Sequence, residues 1–378
     1  MTNVLVVDDS RFMRTVVGNI LTSHGHVVHT AADGEEAVEA VAEHDPDVVT
    51  MDVEMPGMDG IEATDRIMRT HPTPILMLSA HTENGAEATL RALARGAVDF
   101  IAKPGGDDST DIDDLEQRLI RKLKTVDRAD LDSVVTTNAP AAGAPSEVPQ
   151  MSAGEGGTLA AGSAPTPDVE DAKPDAYVDD PTIVVGASTG GPKVIEAIVE
   201  DLPPELDARV LIVQHMPASF TDRLAARLDT LVEYDVSEAS DGQRVTGGEI
   251  VVAKGDYHMN VVHYADGRLR LALSDDDPIH GVRPSIDVTM ASAAERVTDP
   301  LVGVALTGMG KDGAEGISRI SEAGGHTFAQ DRATSPVFGI PKQAIETGHV
   351  DEVLPGEEIA TGVCRHLAAG PPDGDTDG

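Results

Sequence analysis

The stretch that decides the fold of the N-terminal part of the chain is Val48-Val-Thr-Met-Asp52-Val-Glu-Met-Pro56, in which a short apolar run ends at an aspartate. Similar runs recur on both sides of it, separated by amphipathic stretches with an i, i+3, i+4 apolar spacing. The apolar runs are Val4–Val7, Val27–Thr30, Val48–Met51, Ile75–Leu78 and Val98–Ile101. The amphipathic stretches are Arg11–Thr22, Glu35–Ala42, Gly60–Met68, Ala86–Ala94 and Ile112–Leu123. Strands that alternate with helices predict an α/β unit built on a five-stranded parallel sheet.

Polar residues with complementary chemistry stand where these predicted strands end. Asp8 and Asp9 follow the first strand, Asp52 the third, Ser79 the fourth and Lys103 the fifth. Because the carboxyl ends of parallel strands lie at one edge of a sheet, we expect the five side chains to converge there. Three carboxylates offer the hard oxygen ligands that Mg²⁺ prefers, and Asp52 can attack a phosphoryl group as a nucleophile. A solvated acidic strand end is the simpler alternative for any one of these residues taken alone.

Five motifs of this region together resemble the response-regulator receiver domain, which has a flavodoxin-like fold. They are Val-Val-Asp-Asp-Ser at 6–10, Met-Asp-Val-Glu-Met-Pro at 51–56, Met-Asp-Gly at 58–60, Leu-Ser-Ala at 78–80 and Ala-Lys-Pro at 102–104. The resemblance implies that a histidine kinase phosphorylates Asp52 and that Ser79 and Lys103 bind the phosphoryl group. It also implies Mg²⁺ binding by Asp8, Asp9, Asp52 and the backbone carbonyl of Glu54. Phe100 stands where the family has an aromatic switch residue.

The composition changes after this unit, and strand–helix alternation then resumes. Residues 126–180 are rich in Ala, Pro, Gly and acidic residues without apolar periodicity, so they cannot offset their ordering entropy and are predicted to form a flexible linker. Predicted strands follow at Ile183–Val185, Val210–Val213, Glu249–Val252 and Val302–Leu306, and predicted helices at Val194–Asp201, Ser219–Leu228, Ile286–Val297 and Gly313–Ala323. We therefore predict a receiver unit at 1–125, a linker at 126–180, a second, doubly wound α/β domain at 181–367 and a disordered tail at 368–378.

Three predicted strands of the second domain lead to residues with the chemistry of a serine hydrolase. The first runs into a strand-to-helix turn that exposes Ser188 and offers backbone N–H groups to an oxyanion. His215 follows the second strand, and Asp312 follows the Gly-rich turn after Val302–Leu306. Converging strand ends can bring a nucleophile, a base and an orienting carboxylate together. Each residue also has a structural alternative, because Ser188, Thr189 or Asp312 can cap a helix and His215 can be a structural or surface histidine.

Five motifs of the second domain closely resemble the chemotaxis protein-glutamate methylesterase domain, over about residues 181–367. They are Gly-Ala-Ser-Thr-Gly-Gly-Pro at 186–192, Val-Gln-His-Met-Pro at 213–217, Arg-Pro-Ser-Ile-Asp at 283–287, Leu-Thr-Gly-Met-Gly-Lys-Asp-Gly at 306–313 and Ala-Gln-Asp-Arg-Ala-Thr-Ser at 329–335. The resemblance implies a Ser188–His215–Asp312 triad with an oxyanion donor at the Met309 N–H. It implies phosphorylation-activated hydrolysis of glutamate methyl esters on chemoreceptors, with release of methanol and without a cofactor for that step. Members of the family also deamidate certain receptor glutamines. Pro336 departs from the aliphatic or small residue that members commonly have.

The charge balance of the 378-residue chain excludes some partners. There are 28 Lys and Arg residues against 66 Asp and Glu residues, which gives a formal net charge of −38. Such a charge repels nucleic acid phosphates, so we expect no nucleic acid partner. We interpret the acidic composition as an adaptation to the high-salt cytoplasm of an extreme halophile, where screening is strong. With no apolar run long enough to span a bilayer, no secretion signal and the single Cys364, we expect a cytoplasmic monomer without membrane insertion.

Two other functions fit parts of the pattern. A nucleotide-binding loop would need a glycine at position 188 to complete Gly-x-Gly-x-x-Gly, and a serine stands there. A receiver-regulated α/β domain with a non-catalytic binding output is the second alternative. A DNA-binding output would require a basic recognition helix, which the acidic second half lacks. Release of methanol from methylated receptors distinguishes an esterase from either alternative.

Overall fold

The computed structural model describes residues 1–79, 83–103, 109–129 and 176–369. Residues 130–175 of the predicted linker and 370–378 of the predicted tail lie outside the described residues. The N-terminal unit has five strands, β1 (Asn3–Val7), β2 (Val27–Ala31), β3 (Val48–Asp52), β4 (Ile75–Ser79) and β5 (Asp99–Ala102). Its helices are α1 (Arg11–Ser23), α2 (Gly34–His44), α3 (Gly60–Thr70), α4 (Glu83–Ala94) and α5 (Ser109–Val126). Every strand and helix predicted for this unit is present, with ends that differ by up to three residues.

The five strands form one parallel sheet in the order β2-β1-β3-β4-β5. All residues of β3 and β4 are buried, because helices cover both faces of a parallel sheet. Local sequence fixes where helices begin: Asp33 and Asp59 accept hydrogen bonds from the N–H groups of Glu36 and Glu62, at 2.9 and 2.8 Å. The chain winds in opposite directions from β1 and β3, which opens a crevice at the carboxyl ends of these two strands.

The second unit contains ten further strands and six further helices in its described part. The strands are β6 (Thr182–Ala187), β7 (Arg209–Gln214), β8 (Asp235–Glu238), β9 (Arg244–Val245), β10 (Glu249–Val252), β11 (His258–Ala265), β12 (Arg268–Ser274), β13 (Leu301–Ala305), β14 (His326–Gln330) and β15 (Glu352–Leu354). The helices are α6 (Gly191–Glu200), α7 (Ala218–Asp229), α8 (Ile286–Arg296), α9 (Ala314–Glu322), α10 (Ile340–Glu346) and α11 (Ile359–His366).

Seven of these strands form a parallel sheet in the order β15-β14-β13-β6-β7-β10-β8. The chain leaves β6 toward β7 and later returns to its other side as β13, so the topology reverses beside β6. In a sheet of this kind the ligand crevice opens at that reversal, outside the carboxyl ends of the strands. The segments that follow β6, β7 and β13 therefore meet at one place.

The smaller elements of this unit were not predicted from the sequence. Strands β9, β11 and β12 form a separate antiparallel sheet, and β14 and β15 extend the large sheet at one edge. No helix in the described ranges is both long enough and apolar enough to cross a bilayer.

The two units contact each other along a surface that we call the domain seam, formed by α4, β5 and α5 of the first unit and by α6, α7 and the loop after β13 of the second. Helix α4 packs against α6 and α7. The rings of Phe100 and Phe220 lie with their centroids 4.2 Å apart. The N–H of Gly190 donates to the carbonyl of Val98 at 3.1 Å, so the seam reaches the turn directly after β6.

Candidate active site and phosphoacceptor site

The crevice of the first sheet brings together the acidic residues that follow β1 and β3. Asp8, Asp9 and Asp52 each present a carboxylate oxygen, and these oxygens lie within 4.8 Å of one another. Asp8 and Asp52 are buried, whereas Asp9 is exposed. The Lys103 ammonium lies 2.7 Å from a carboxylate oxygen of Asp52 and 2.8 Å from one of Asp8. The convergence expected from the parallel topology is therefore present for these four side chains.

Electrostatics at this cluster favour an additional cation. Burial raises the pKa of Asp52 to about 6, and the neighbouring Lys103 acts in the opposite direction. Burial alone would lower the pKa of Lys103, but the two carboxylates hold it above its ordinary value. Three carboxylates face a single lysine, and their hard oxygens are the donors that Mg²⁺ prefers, so the residues fit this ion.

Two other residues predicted for this site are placed less directly. The hydroxyl of Ser79 is buried and donates to the Gly85 carbonyl in α4 at 3.0 Å. Glu54 is exposed, as suits a residue whose backbone carbonyl and not its side chain is the expected ligand.

Ser188 lies in the turn between β6 and α6, at the topological reversal of the second sheet. Its N–H donates to the Thr307 carbonyl at 3.0 Å, and its carbonyl accepts from the Gln214 side-chain amide at 2.8 Å. The residue at the N-terminus of α6 is Gly190, with φ of 78° and no side-chain capping bond. Neither Ser188 nor Thr189 is the cap of this helix, so the alternative that the serine serves as a helix cap is excluded.

His215 follows β7, and its Nε2 lies 2.9 Å from an Asp312 carboxylate oxygen, to which it donates. Both side chains are largely buried, with exposed fractions of 11% and 3%. Asp312 does not cap the helix that follows it, because the N-terminal residue of α9 is Gly313, without a side-chain bond. The histidine is consequently held by a buried carboxylate and is not a surface residue.

Asp312 is anchored by donors from the start of α8. The Ser285 hydroxyl and the Ile286 N–H each donate to it at 2.7 Å, and the Asp287 N–H donates at 3.2 Å. Burial alone would raise the pKa of Asp312, but His215 and these donors hold it below its ordinary value. An ionised Asp312 can orient His215 and balance a positive charge on it.

Asp287 makes the reciprocal contact, and it was not among the site residues predicted from the sequence. One of its carboxylate oxygens accepts from the N–H groups of Gly313 and Gly316 at the start of α9, both at 2.8 Å. Burial raises the pKa of Asp287, and the adjacent charge of Asp312 acts in the same direction. Asp312, two residues before α9, thus binds the first N–H groups of α8, and Asp287 in the first turn of α8 binds N–H groups at the start of α9. The motif Arg-Pro-Ser-Ile-Asp contains both Ser285 and Asp287, so this motif was the sequence signal from which Asp287 could have been predicted as a site residue.

The loop after β13 closes over the serine. Gly308 packs so tightly that a side-chain carbon there would lie 2.6 Å from the Ser188 Cβ, which explains the need for glycine. The N–H of Met309 forms no hydrogen bond with another backbone group in the described part of the chain. In the described ranges, no hydrogen bond joins the Ser188 hydroxyl to His215; catalytic hydrogen bonds of this kind often form only in the complex with substrate.

Residues 183–363 match the family described as CheB methylesterase, and residues 4–113 match the response regulator receiver domain. A protein-glutamate methylesterase/protein-glutamine glutaminase from Haloarcula marismortui is 53% identical over 362 residues, 95% of this chain and 96% of that protein. A relative with the same name from Halobacterium salinarum is 52% identical over 368 residues, 97% of this chain and 99% of that protein. The catalytic domain of Thermotoga maritima CheB methylesterase is similar with a TM-score of 0.48 and 39% identity, over 51% of this chain and 100% of that chain.

Proposed function

The chain belongs to the CheB methylesterase family, and from that premise we propose that it hydrolyses methyl esters of glutamate side chains on chemoreceptors. The observation that carries the proposal is that the segments after β6, β7 and β13, which contain Ser188, His215 and Asp312, meet at the reversal of the second sheet. The loop at Ser188 is fixed by backbone bonds, and His215 is bound to Asp312 at 2.9 Å. The chain resembles its halophilic relatives over nearly its whole length, with both family regions present.

The proposed reaction begins with the Ser188 hydroxyl. As its oxygen attacks the ester carbonyl, the free nitrogen of His215 takes the hydroxyl proton, while Asp312 holds the other nitrogen and stabilises the imidazolium. The carbonyl oxygen gains negative charge, and we propose that the N–H of Met309 in the adjoining loop donates to it. The C–O bond to the methoxy group then breaks, and His215 returns the proton so that methanol leaves.

Hydrolysis of the glutamyl-enzyme completes the cycle with the same groups. His215 removes a proton from water, the resulting hydroxide attacks the acyl carbon, and Ser188 leaves with a proton from His215. The receptor carboxylate is restored. An amide carbonyl can follow the same route with ammonia as leaving group, so we propose glutamine deamidation as a second activity of this site. Ser188, His215, Asp312 and the Met309 N–H supply these steps without a cofactor.

We propose that the first unit regulates this site through phosphorylation of Asp52 by a chemotaxis histidine kinase. When bound, Mg²⁺ would supply charge neutralisation and orientation of the phosphoryl group, held by Asp8, Asp9, Asp52 and the Glu54 carbonyl. Lys103 and Ser79 would bind the phosphoryl oxygens, which requires the Ser79 hydroxyl to leave the Gly85 carbonyl. Because Ser79 contacts α4 and α4 packs against α6 and α7, the change would reach the domain seam.

The docked receiver would restrain the esterase in the unphosphorylated protein. The Gly190 N–H donates to the Val98 carbonyl, and the Thr189 hydroxyl donates to the Asp99 carboxylate. Thr189 and Gly190 are the two residues that follow Ser188. Phosphorylation would loosen these contacts and free the nucleophile turn. We place the reaction in the cytoplasm, where a kinase has its phosphodonor, and we propose a monomer without a nucleic acid partner.

The test is methanol release from methylated receptor membranes, measured beside a melting curve for each variant. Replacing Ser188 with Ala should reduce turnover by several orders of magnitude with little effect on stability, and His215→Ala and Asp312→Asn should also be severely impaired. Thr189→Ala is the matched control, because it removes a hydroxyl from the same turn and should leave turnover intact or increase it. Near-normal turnover of Ser188→Ala would contradict the proposal and favour a non-catalytic binding output.

A further inference from the structure

His258 is a buried histidine at the start of β11 that the proposed reaction does not use. It is 2% exposed, and both of its ring nitrogens form hydrogen bonds. Nδ1 accepts from the Ser285 N–H at 3.2 Å, and Nε2 lies 3.2 Å from the carbonyl of Asp277. Asp277 and Ser285 belong to opposite ends of the loop between β12 and α8, so the ring bridges that loop.

The partners of His258 determine which ring nitrogen carries the proton. A backbone N–H can only donate and a backbone carbonyl can only accept, so Nδ1 carries no hydrogen and Nε2 carries one. In this tautomer the ring is neutral. It can therefore hold Ser285 in place without bringing a positive charge that would compete with His215 for Asp312.

Ser285 connects His258 to Asp312. The Ser285 N–H is bound by the ring, while the Ser285 hydroxyl caps α8 and donates to one Asp312 oxygen at 2.7 Å. The other Asp312 oxygen lies 2.9 Å from His215 and accepts from the Ile286 N–H at 2.7 Å. A continuous series of hydrogen bonds thus runs from His258 to the expected catalytic base.

The rest of β11 is joined to α8 by bonds in which His258 takes no part. The Thr289 hydroxyl donates to the Met259 carbonyl at 2.7 Å, and the Val261 N–H donates to the Ser292 hydroxyl at 3.0 Å. These bonds lie about one and two turns beyond the start of the helix. Because they keep strand and helix together, loss of the His258 bonds should disturb mainly the start of α8.

We propose that His258 is a positioning residue for the esterase, which fixes Asp312 through Ser285 and thereby orients His215. This role rests on the proposed function, and all of its contacts lie within the second unit, so it does not depend on the docked receiver. Without the ring, the buried Ser285 N–H would need another acceptor, because an unpaired buried N–H is unfavourable. A shift of Ser285 toward that acceptor would withdraw its hydroxyl from Asp312.

Two substitutions separate the two hydrogen bonds of the ring. In His258→Asn, the amide oxygen takes the place of Nδ1 and can still accept from Ser285, whereas the bond to Asp277 is lost. In His258→Gln, the amide nitrogen takes the place of Nε2 and can still donate to Asp277, whereas Ser285 loses its acceptor. Methanol release from methylated receptor membranes in molar KCl gives kcat and KM for the full-length protein, and a melting curve shows that each variant is folded.

His258→Asn should keep kcat within about threefold of the wild type, and His258→Gln should lower it about tenfold to a hundredfold, the effect of misplacing a catalytic group by about 1 Å. KM should change less than kcat, because the proposed role is to orient catalytic groups and not to bind substrate. A purely structural histidine would lower the melting temperature in both variants and kcat in neither. Equal kcat values for the two variants, whether retained or lost, would overturn the proposal.

A second readout does not depend on the substrate. The His215 proton that is donated to Asp312 should give a low-field proton NMR signal, identified by its loss in Asp312→Asn. This signal should persist in His258→Asn and disappear or move to higher field in His258→Gln, and its persistence in both would contradict the positioning role. If the wild-type protein releases no methanol, the esterase proposal fails, whereas this signal still tests the role of His258.

The matched control is His326, another histidine of the second unit, whose Nε2 lies 3.2 Å from a carboxylate oxygen of Glu352. This pair joins β14 to β15, which contain none of the proposed site residues. His326→Asn and His326→Gln should both keep kcat within about threefold of the wild type. A loss in His326→Gln as large as that in His258→Gln would show that the effect is not specific to His258, and the proposal would be wrong.

Discussion

The hydroxyl of Thr189 donates a 2.6 Å hydrogen bond to the carboxylate of Asp99, and both residues are buried. Thr189 follows the expected nucleophile, and Asp99 is the first residue of β5. The other oxygen of Asp99 accepts from Lys122 at 2.6 Å and from the Phe100 N–H. Strand β5 ends just before Lys103, so a single four-residue strand connects the phosphoacceptor cluster to the nucleophile turn.

Asp99→Ala should increase methanol release by the unphosphorylated protein. It removes a buried bond to a charged acceptor that holds the receiver against the turn. Such a bond contributes about 1.5–3 kcal/mol, enough to shift a docking equilibrium roughly tenfold or more. Asp65→Ala is the control, since Asp65 pairs with Arg69 and Arg95 away from the domain seam. Basal activity that stays flat in Asp99→Ala, or rises equally in Asp65→Ala, would show that this contact does not restrain the enzyme.

Asp52→Asn should abolish acid-labile phosphorylation by a histidine kinase in the presence of Mg²⁺. The amide cannot form an acyl phosphate, and although Asp8 also pairs with Lys103, Asp52 is the carboxylate of the cluster that stands at the end of β3. Asp45→Asn is a matched control: residue 45 has φ of 44°, a conformation that asparagine tolerates well, so that variant should label normally. Undiminished labelling of Asp52→Asn would refute the assignment.

The neighbouring carboxylates Asp287 and Asp312, at the starts of α8 and α9, allow a prediction of how the stability of the fold changes with pH. The native pKa of Asp287 is raised, so ionising this residue costs stability; the cost grows as pH rises from the ordinary aspartate value of about 3.9 to the raised native pKa and is constant above it. Asp287→Asn keeps an oxygen for the Gly313 and Gly316 N–H groups but removes the charge. Its melting temperature relative to wild type should therefore increase with pH.

Asp287→Ala is the informative comparison for that pair. It also removes the charge, but it leaves two N–H groups of α9 without their acceptor, at a cost of about 1–3 kcal/mol for each buried group. It should be less stable than Asp287→Asn at every pH. Equal melting curves for the two variants would mean that the hydrogen bonds of Asp287 contribute nothing to the fold.

The regular parts of the fold were predictable because their sequence signals are local. The strands β1, β3, β6 and β7 are short apolar runs, and each is followed by a polar site residue at the carboxyl edge. Strands β14 and β15 were missed because β14 mixes His326 and Gln330 with apolar residues and β15 has three residues. The separate antiparallel sheet did have a signal that was not used: β12 alternates polar and apolar residues, Arg-Leu-Arg-Leu-Ala-Leu-Ser, as a half-buried strand does.

The sequence allowed prediction only of those site residues that follow the converging carboxyl ends of the strands. The topology brings Asp312 to His215, but the cross-binding between Asp287 and the start of α9 depends on how two helices pack, which no residue spacing encodes. The Thr189–Asp99 bond is likewise a contact between the two domains, and its two residues are 90 positions apart in the sequence. Asp99 gave no signal, since an acid at the start of a strand in so acidic a chain is unremarkable until its partner is seen.

High salt should stabilise the protein in a characteristic way. A net charge of −38 repels itself in the compact state, and screening relieves that repulsion mainly while the Debye length shortens from about 10 Å at 0.1 M to about 3 Å at 1 M. The melting temperature should therefore rise steeply with KCl up to about 1 M and less steeply beyond. The shift should be about 2–4 °C for each kcal/mol of relieved repulsion, the value for a domain of roughly 150–250 residues.

Sucrose is the control for this prediction. It is excluded from the protein surface and so favours the compact state, but it carries no charge and does not screen. A melting temperature that is flat in KCl, or that rises no more than it does in sucrose, would mean that the charge is accommodated without salt.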